Sequence, residues 1–386
     1  MFGRRITLFK MFGFAVRADG SWLVIAVLIT WSLAVGMFPH RYPGLSKGEY
    51  WLMGLLGALL LFVSIVVHEL AHSLVARRHG LAIKGITLFI FGGVAEMESE
   101  PPNAKAEFLM AAAGPLTSIV IGVFFYVLHW GAQGAWPTMA VGVLWYLYLI
   151  NWILAAFNLV PAFPLDGGRI LRSALWHWKG NLWSATRIAS NIGSGFGVLL
   201  MAFGVYQLLV GDFIGAVWWF VIGMFLRSAA QGSYQQLMVQ KMLQGEPIRR
   251  FMKTNPVTVP PAISLEDLVE HYIYKYHYKM FPVVNESHEL LGCITTKQVK
   301  DIPRDEWNRN SVQAIMQPYD PKDAVTPDTD SVEALAIMRR AQSSRLMVVE
   351  DGHLIAVLAL KDLLEFLSSK LEMEGDSSKL PSALRP

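Results

Sequence analysis

Long apolar segments separated by short polar loops fill the first 230 or so residues, and shorter mixed segments follow from about residue 245. A helix needs about 20 mainly apolar residues to cross a bilayer. Six segments are therefore predicted as membrane-spanning helices, the last of them short enough to need a thinned bilayer. They lie at residues 20–38, 51–75, 107–129, 139–160, 189–210 and 212–227.

The second half of the chain contains two similar stretches of about sixty residues, within residues 245–372. In each, a strand-like run such as Phe281-Pro282-Val283-Val284 follows a helical segment and precedes a second strand. A repeat of this kind predicts two copies of one β-α-β-β-α unit packed as a pair. The predicted fold is a polytopic α-helical membrane protein of about six spans, followed by a soluble α+β tandem module.

The domain boundaries follow from this change of pattern. They are an N-terminal cytosolic tail (1–19), a membrane domain (20–227), a helical linker (228–245), two modules (246–305 and 306–372) and a flexible C-terminal tail (373–386).

Composition supports a membrane protein, because 53% of the residues are hydrophobic and only 16% are charged. An ordinary soluble chain has about 25% charged residues. The net charge of +3 is small and no basic cluster forms a phosphate-binding face, so a nucleic-acid partner is not expected. The single cysteine, Cys293, cannot form an internal disulfide.

Positive charge predicts the orientation of the spans, because Lys and Arg collect in cytosolic loops. The loop at 130–138 has neither residue, whereas the segments before the first span and after the second are rich in both. Six crossings then put both termini in the cytosol, with the chain as a multi-pass protein of the plasma or inner membrane. The positive residues of the predicted cytosolic side include Arg4, Arg5, Lys10, Arg17, Arg77, Arg78, Arg169, Arg172, Lys179, Arg187 and Arg227.

The second span carries His68-Glu69-Leu70-Ala71-His72. Residues four apart share one face of a helix, so the two imidazoles can bind one metal ion while Glu69 lies beside them. Charged groups at the centre of a membrane helix are costly, which argues that this cluster has a function. The alternative is a polar cluster that only packs helices or relays protons.

A third ligand is expected, because a catalytic zinc usually has three protein ligands and one open position. Asp166 is the candidate, since Pro161 and Pro164 break the fourth span just before it. Irregular backbone at membrane depth is tolerated where protein or water surrounds it, which places this loop at an internal cavity. The alternative for Asp166 is a cap of the following helix at 169–176.

These segments resemble the site-2 protease family of intramembrane metalloproteases over roughly residues 50–230. The resemblance rests on HELAH at 68–72, AAAGPLTS at 111–118 and NLVPAFPLDGGR at 158–169. It implies one Zn²⁺ ion bound by His68, His72 and Asp166. It also implies that Glu69 is the general base and that Asn158 lines the active site, where its amide would polarise the scissile carbonyl or hold substrate backbone.

The segment 82–93 is rich in β-branched and aromatic residues and predicts strands after the second span. Its free edge is a hypothetical docking site for an unwound substrate, with Phe89 and Phe91 affecting substrate preference. An ordinary structural hairpin is the alternative.

The repeated modules resemble a tandem of cystathionine-β-synthase (CBS) domains. The resemblance implies adenine-nucleotide binding through a Thr or Ser and an Asp, and a homodimer formed through the pair. Each copy departs from that pattern: the first keeps Thr295 but has Gln298 in place of Asp, and the second keeps Asp362 but has Ala359 in place of the hydroxyl. A structural or dimerising module is the alternative.

The function indicated is therefore a zinc-dependent intramembrane endopeptidase that cuts transmembrane segments of membrane-anchored proteins and is regulated by its CBS pair. Its partners are the substrate and the lipid bilayer. The alternatives are a transporter or channel gated by the CBS pair, and an inactive protease-like scaffold. A transporter would be expected to show broken helices at matching positions of a repeat, whereas one such motif is present here.

Overall fold

The computed structural model describes residues 6–89, 92–97, 100–321, 324–341 and 343–373. The chain divides into two compact units, Met1–Tyr234 and Gln235–Pro386, here called the membrane unit and the C-terminal unit.

Helices form most of the membrane unit. The first, α1 (Gly20–Ser32), continues through a π-helical turn at Leu33–Met37 into α2 (Phe38–Arg41). The others are α3 (Lys47–Arg78), α4 (Ala104–Ala132), α5 (Thr138–Asn158), α6 (Asp166–Lys179), α7 (Leu182–Leu209) and α8 (Phe213–Leu243).

Five helical segments of the described residues are long and apolar enough to cross a membrane: Gly20–Arg41, α3, α4, α5 and α7. They match the first five predicted spans, so the predicted fold class of the membrane half is confirmed. The sixth predicted span, 212–227, falls in the first half of α8. This helix then continues without a break to Leu243, so the predicted linker at 228–245 is almost wholly helical.

Helix α3 is the central helix of the bundle. Half of its most apolar stretch is buried, against 22–39% for the other four segments. A capping box formed by Ser46 and Glu49 begins the helix, and 32 residues make it about 48 Å long, more than a bilayer core requires. Its buried face packs against α1 and α5 through a cluster that includes Met53, Leu61 and Leu147.

A four-stranded sheet accompanies the helices. Its strands are β1 (Ile6–Met11), β2 (Phe14–Ala18), β3 (Ile83–Phe89) and β4 (Gly92–Met97), in that spatial order. Strands β2 and β3 are parallel, and the other two pairs are antiparallel. The predicted strands at 82–93 are present as the β3–β4 hairpin, with Phe91 outside the described residues.

The N-terminal segment differs from the prediction, because residues 6–18 are strands of this sheet and not a tail. Alternate residues of β2 are buried, and Phe14 and Val16 pack against α3 and β3. A hydrophobic alternation of period two produced this arrangement despite the flanking positive charges.

The C-terminal unit contains two small sheets flanked by helices. One has the order β5 (Lys253–Thr254), β11 (His353–Ala359), β10 (Arg345–Glu350) and β9 (Ala324–Val325). The other has the order β6 (Met280–Val284), β7 (Leu290–Thr295) and β8 (Gln317–Pro318). The helices are α9 (Leu265–Leu268), α10 (Tyr274–Tyr276), α11 (Thr296–Lys300), α12 (Val312–Ile315), α13 (Ser331–Arg340) and α14 (Leu360–Met373).

The two sequence repeats exchange their first strands. Strand β5 lies in the first repeat but pairs with β11 of the second, and β8 lies in the second repeat but pairs with β7 of the first. The predicted boundary at 305/306 therefore separates repeats of sequence and not independently packed modules. The predicted tail at 373–386 lies outside the described residues apart from Met373.

Candidate metal centre

The two histidines of α3 lie side by side in the interior of the membrane unit. His68 and His72 are 3% and 6% exposed, and their ring centroids are 4.8 Å apart. Spacing of four residues places both rings on one helix face, and the two Nε2 atoms approach to 3.2 Å. Two nitrogen atoms with ligand chemistry thus point at one place.

Asp166 joins them from the loop that follows α5. It is the first residue of α6, and its Oδ2 lies 3.2 Å from Nε2 of each histidine. The three candidate ligand atoms lie within 4.8 Å of one another. The helix-start position that favoured the capping alternative is real, but the carboxylate faces the histidines.

The glycines after Asp166 let α6 begin this close to the loop. A Cβ on Gly167 would lie 2.3 Å from the carbonyl oxygen of Leu159, and one on Gly168 would lie 2.2 Å from the amide nitrogen of Phe163. On α7, a Cβ on Gly193 would lie 1.9 Å from the carbonyl oxygen of Phe163. The loop is therefore held by direct backbone contact, and side chains at these positions would displace Asp166.

Helix α4 orients both imidazoles. Nδ1 of His68 lies 2.8 Å from Oγ of Ser118, and Nδ1 of His72 lies 2.6 Å from the carbonyl oxygen of Met110. A carbonyl oxygen can only accept, so Nδ1 of His72 donates and its Nε2 keeps a free lone pair. This pattern fixes the tautomer and the orientation of metal-binding histidines in other proteins.

The same face of α4 leaves room for the two rings. A Cβ on Gly114 would lie 2.1 Å from Nε2 of His72 and 2.6 Å from Nε2 of His68. Met110, Gly114 and Ser118 are spaced by four residues each, so they follow one side of the helix. The motif AAAGPLTS carried part of the family resemblance, but its contact with the two histidines was not predicted. The spacing of Gly114 and Ser118 was the signal that could have identified this contact surface.

Glu69 lies next to the cluster and beneath the hairpin. Its side chain is half-buried, and a Cβ built on Gly93 of β4 would lie 2.5 Å from its Cγ and 3.2 Å from its Oε1. The backbone of β4 therefore lies directly against the Glu69 side chain, and a residue larger than glycine at position 93 would collide with it.

Asn158 is at the last position of α5, where its Nδ2 donates to the carbonyl oxygen of Leu154 at 3.0 Å. This bond lies within its own helix. A contact between Asn158 and a reacting group stays a prediction.

The three donors fit zinc. Two imidazole nitrogens and one carboxylate oxygen form a common three-ligand set of catalytic zinc sites, and zinc accepts a tetrahedral arrangement with a fourth position open. The contacts of both Nδ1 atoms with α4 are also those expected of metal-binding histidines.

The two predicted nucleotide contacts of the C-terminal unit have internal partners. Thr295 donates from Oγ1 to Oε1 of Gln298 at 2.7 Å and caps α11, while Gln298 also donates to the carbonyl oxygen of Ile315. Asp362 is 6% exposed, accepts from the backbone N–H of Ala359 and forms an ion pair with Lys253 at 3.0 Å. Both residues therefore already have partners within the C-terminal unit.

A small cavity lies elsewhere in this unit. Its volume is about 120 Å³, and Cys293, Tyr319 and Arg345 are among its lining residues, while Thr295 and Asp362 are not. Pockets for drug-sized ligands usually have about 300–1,000 Å³. This cavity is therefore smaller than the pockets that usually hold such ligands.

Comparisons with known proteins match both halves of the chain. The profile of Peptidase family M50 matches residues 56–138 and 129–203, and that of the CBS domain matches residues 248–304 and 312–369. A Synechocystis sp. protein, sll0528, whose name proposes a zinc metalloprotease, is 33% identical over 362 residues. The match covers 93% of this chain and 94% of that protein.

The zinc metalloprotease MJ0392 of Methanocaldococcus jannaschii is 31% identical over 367 residues, which cover 94% of this chain and 96% of that protein. Among solved structures, the site-2 protease from Methanocaldococcus jannaschii matches with 30% identity and a TM-score of 0.42. That match covers 59% of this chain and 94% of the solved chain.

Proposed function

The chain belongs to peptidase family M50, as a membrane metallopeptidase of the site-2 protease type with a tandem CBS module, and we propose that it cuts peptide bonds inside the transmembrane segments of membrane-anchored proteins. One observation carries the proposal: inside an apolar helical bundle, two histidines of the central helix and Asp166 of α6 form a buried cluster whose ligand atoms lie within 4.8 Å of one another. Water must reach such a site through protein, which suits hydrolysis of a bond that lipid otherwise shields.

In this proposal His68, His72 and Asp166 hold one Zn²⁺ ion. The bound zinc supplies a Lewis acid that acidifies water and polarises a carbonyl group. The carbonyl of Met110 keeps His72 in the ligand tautomer, and Ser118 holds the orientation of the His68 ring through Nδ1.

Glu69 is the proposed general base. It accepts a proton from the attacking water and returns it to the nitrogen of the leaving amine. Its half-buried position under β4 supports this role, because a carboxylate beside the ligands and away from bulk water is close to the reacting atoms. Asn158 is the proposed hydrogen-bond donor to substrate backbone, after release of its contact with Leu154.

Strand β4 is the proposed docking edge for unwound substrate. It lies at one end of the described sheet and pairs with β3 there. Its contact with Glu69 through Gly93 would bring a strand added to this edge close to the base. Substitution of Phe89 should change substrate preference more than zinc content, and an equal loss of both would contradict this part of the proposal.

The N- and C-termini are proposed to lie in the cytosol, at the plasma or inner membrane. The support is the distribution of Lys and Arg between the helices. A cysteine placed in the loop at 130–138 of a Cys293→Ser chain should react with an impermeant thiol reagent from outside the cell.

The CBS pair is proposed to regulate the protease and to mediate a homodimer. Adenine nucleotides are its proposed ligands. In this structure the two expected contact residues are bonded to other side chains, Asp362 to Lys253 and Thr295 to Gln298. Calorimetry of the full chain with ATP and AMP tests this, and absence of binding near millimolar concentration would remove the nucleotide.

Cleavage of a single-span substrate in liposomes by the purified full chain tests the main proposal. Wild-type protein should hold one zinc and cleave, and a chelator should remove both properties. Glu69→Gln should keep zinc and lose about 100-fold or more of the activity. Glu49→Gln, at the start of the same helix, is the matched control and should stay active.

Folded wild-type protein without zinc would overturn the proposal. Ion flux across the same liposomes would then test the transporter alternative.

A further inference from the structure

A buried ion pair joins α4 and α6 close to the metal centre. Glu107 is fully buried and Arg172 is 4% exposed. Nε of Arg172 donates to Oε1 of Glu107 at 2.6 Å, and the guanidinium makes a second contact with the same oxygen through Nη2.

The pair connects the two elements that complete the metal centre. Arg172 is six residues after Asp166 on the 14-residue helix α6. Glu107 precedes Met110 by three residues on α4, so it lies one turn from the carbonyl that accepts from His72. The ion pair therefore joins the helix that begins with the carboxylate ligand to the helix that orients the histidine ligands.

Arg172 also contacts two further elements, the loop that leads into Asp166 and helix α7. Its guanidinium carbon lies 5.2 Å from the centre of the Phe163 ring, and Nη1 lies 3.5 Å from Oγ1 of Thr186 on α7. Nη2 also donates to Oε2 of the exposed Glu100 at 3.2 Å, on the segment that follows β4. Arg172 thus connects α6 with α7 and with the loop before Asp166.

Packing alone does not account for these charges. Replacing a buried ion pair by apolar residues of similar volume is often neutral or stabilising, so such a pair is weak evidence for stability. A charge pair does specify one register of two helices, whereas apolar contacts tolerate small shifts. Here Oε2 of Glu107 has no hydrogen-bond partner among the described residues, which adds to the cost of keeping the pair.

We infer that Arg172 is a positioning residue for the metal ligand Asp166 and that Glu107 is its anchor. This inference rests on the proposed zinc site. A shift of α6 along α4 would separate Oδ2 of Asp166 from the two Nε2 atoms, which now lie 3.2 Å away. Zinc affinity and ligand geometry, more than folding, are the properties that the ion pair controls.

The two carboxylates on Arg172 provide a matched pair of variants. Glu107 is buried and lies on α4, while the side chain of Glu100 is 38% exposed and precedes the helix. Glu107→Gln removes the anchor with little change in shape. Glu100→Gln removes an equal charge that does not join α6 to α4.

The experiment measures zinc affinity of the purified full chain by competition with a chromophoric chelator, and records the absorption spectrum of the Co²⁺-substituted protein. Glu107→Gln should raise the zinc dissociation constant roughly tenfold and shift the Co²⁺ bands. Glu100→Gln should leave both unchanged. Arg172→Lys should be intermediate, because it keeps the charge but loses the planar fork.

A second variant covers the case in which Glu107→Gln does not fold. The double substitution Glu107→Leu with Arg172→Met replaces the pair by apolar groups and should fold. We expect it to bind zinc more weakly, also by about tenfold. Wild-type zinc affinity and an unchanged Co²⁺ spectrum in a folded Glu107 variant would overturn the inference alone, whereas wild-type protein without zinc would overturn the proposed function.

Discussion

Two parts of this molecule carry residues that could bind a ligand, and these residues are arranged differently in the two parts. In the membrane unit, the Nε2 atoms of His68 and His72 and Oδ2 of Asp166 converge, because other atoms of the two imidazoles are held by α4. In the C-terminal unit, Thr295 forms a hydrogen bond with Gln298. Asp362 accepts a hydrogen bond from the backbone of Ala359 and forms an ion pair with Lys253.

The difference shows what a binding motif needs beyond its residues. A set of ligand side chains binds a metal when their lone pairs point at one place and their other polar atoms have hydrogen-bond partners. The C-terminal residues satisfy one another, so a ligand must first displace an existing partner. The following changes test this contrast.

Gly114→Ala should have the largest effect. The added Cβ would lie 2.1 Å from Nε2 of His72, so the imidazoles must move out of their ligand positions. We expect zinc affinity to fall by about 100-fold or more, measured by competition with a chelator. Gly131→Ala on the same helix meets nothing within 4 Å and is the control. Equal zinc affinity of the two variants would show that α4 does not shape the site.

Ser118→Ala should have the next largest effect. It removes the group 2.8 Å from Nδ1 of His68 and frees that ring to rotate. Zinc affinity should fall by about 10- to 100-fold. Thr117→Ala is the control, since the Thr117 hydroxyl donates to the backbone carbonyl of Ala113 within its own helix. The orienting role would be refuted by a Ser118→Ala protein that binds zinc as tightly as the Thr117→Ala protein.

Lys253→Met tests whether Lys253 blocks the proposed nucleotide site at Asp362, here called the second CBS cleft. The Asp362 carboxylate raises the pKa of Lys253, so the ammonium stays charged and paired throughout the physiological range. Removal of the charge should improve AMP binding by calorimetry, by about tenfold for one charged contact. Lys361→Met breaks only the exposed contact with Glu365 and should bind as wild type does. Unimproved binding in Lys253→Met would mean that this lysine does not block the cleft.

The smallest effect is expected at Glu246, which joins Lys370 and Arg250 at the surface of the C-terminal unit. Hydrogen bonds from Lys370 and Arg250 lower the pKa of this carboxyl group. A lowered pKa stabilises the folded state above the ordinary glutamate value of about 4.3, and the stabilisation is lost as pH falls through the folded pKa.

Glu246→Gln should therefore lose no more than about 1 kcal/mol at pH 7. The difference in stability between this variant and the wild type should vanish at low pH, where the carboxyl group of Glu246 is protonated. Hydrogen exchange of the segments around 246 and 370 in the full chain, followed against pH, measures it. A difference that grows toward low pH would show that the carboxylate is not the stabilising form.

Much of the fold could be predicted from local patterns. Apolar length predicted five spans that the described residues contain, and the spacing of His68 and His72 predicted a shared helix face. The N-terminal strands were missed because the positive charges around them favoured a tail, although alternate residues of β2 are apolar. The exchange of β5 and β8 was also missed, because no local pattern states which distant strand a two-residue strand will join.

The candidate site shows the same division. Its motifs indicated the ligand types, but neither Ser118 nor the carbonyl of Met110 was assigned to the histidines. Ser118 is 50 positions after His68, and Met110 is 38 positions after His72. The Glu107–Arg172 pair spans 65 positions and left no signal in either helix alone.

The sequence by itself determined the elements and the ligand chemistry, because hydropathy and residue spacing act over one or two helical turns. Only the tertiary structure decided which of those residues form a site. Whether a side chain faces a metal or a neighbouring lysine depends on where a distant helix or strand lies, and that position results from packing of the whole unit. His68, His72 and Asp166 were brought together by this packing, and Thr295 and Asp362 were given other partners by it.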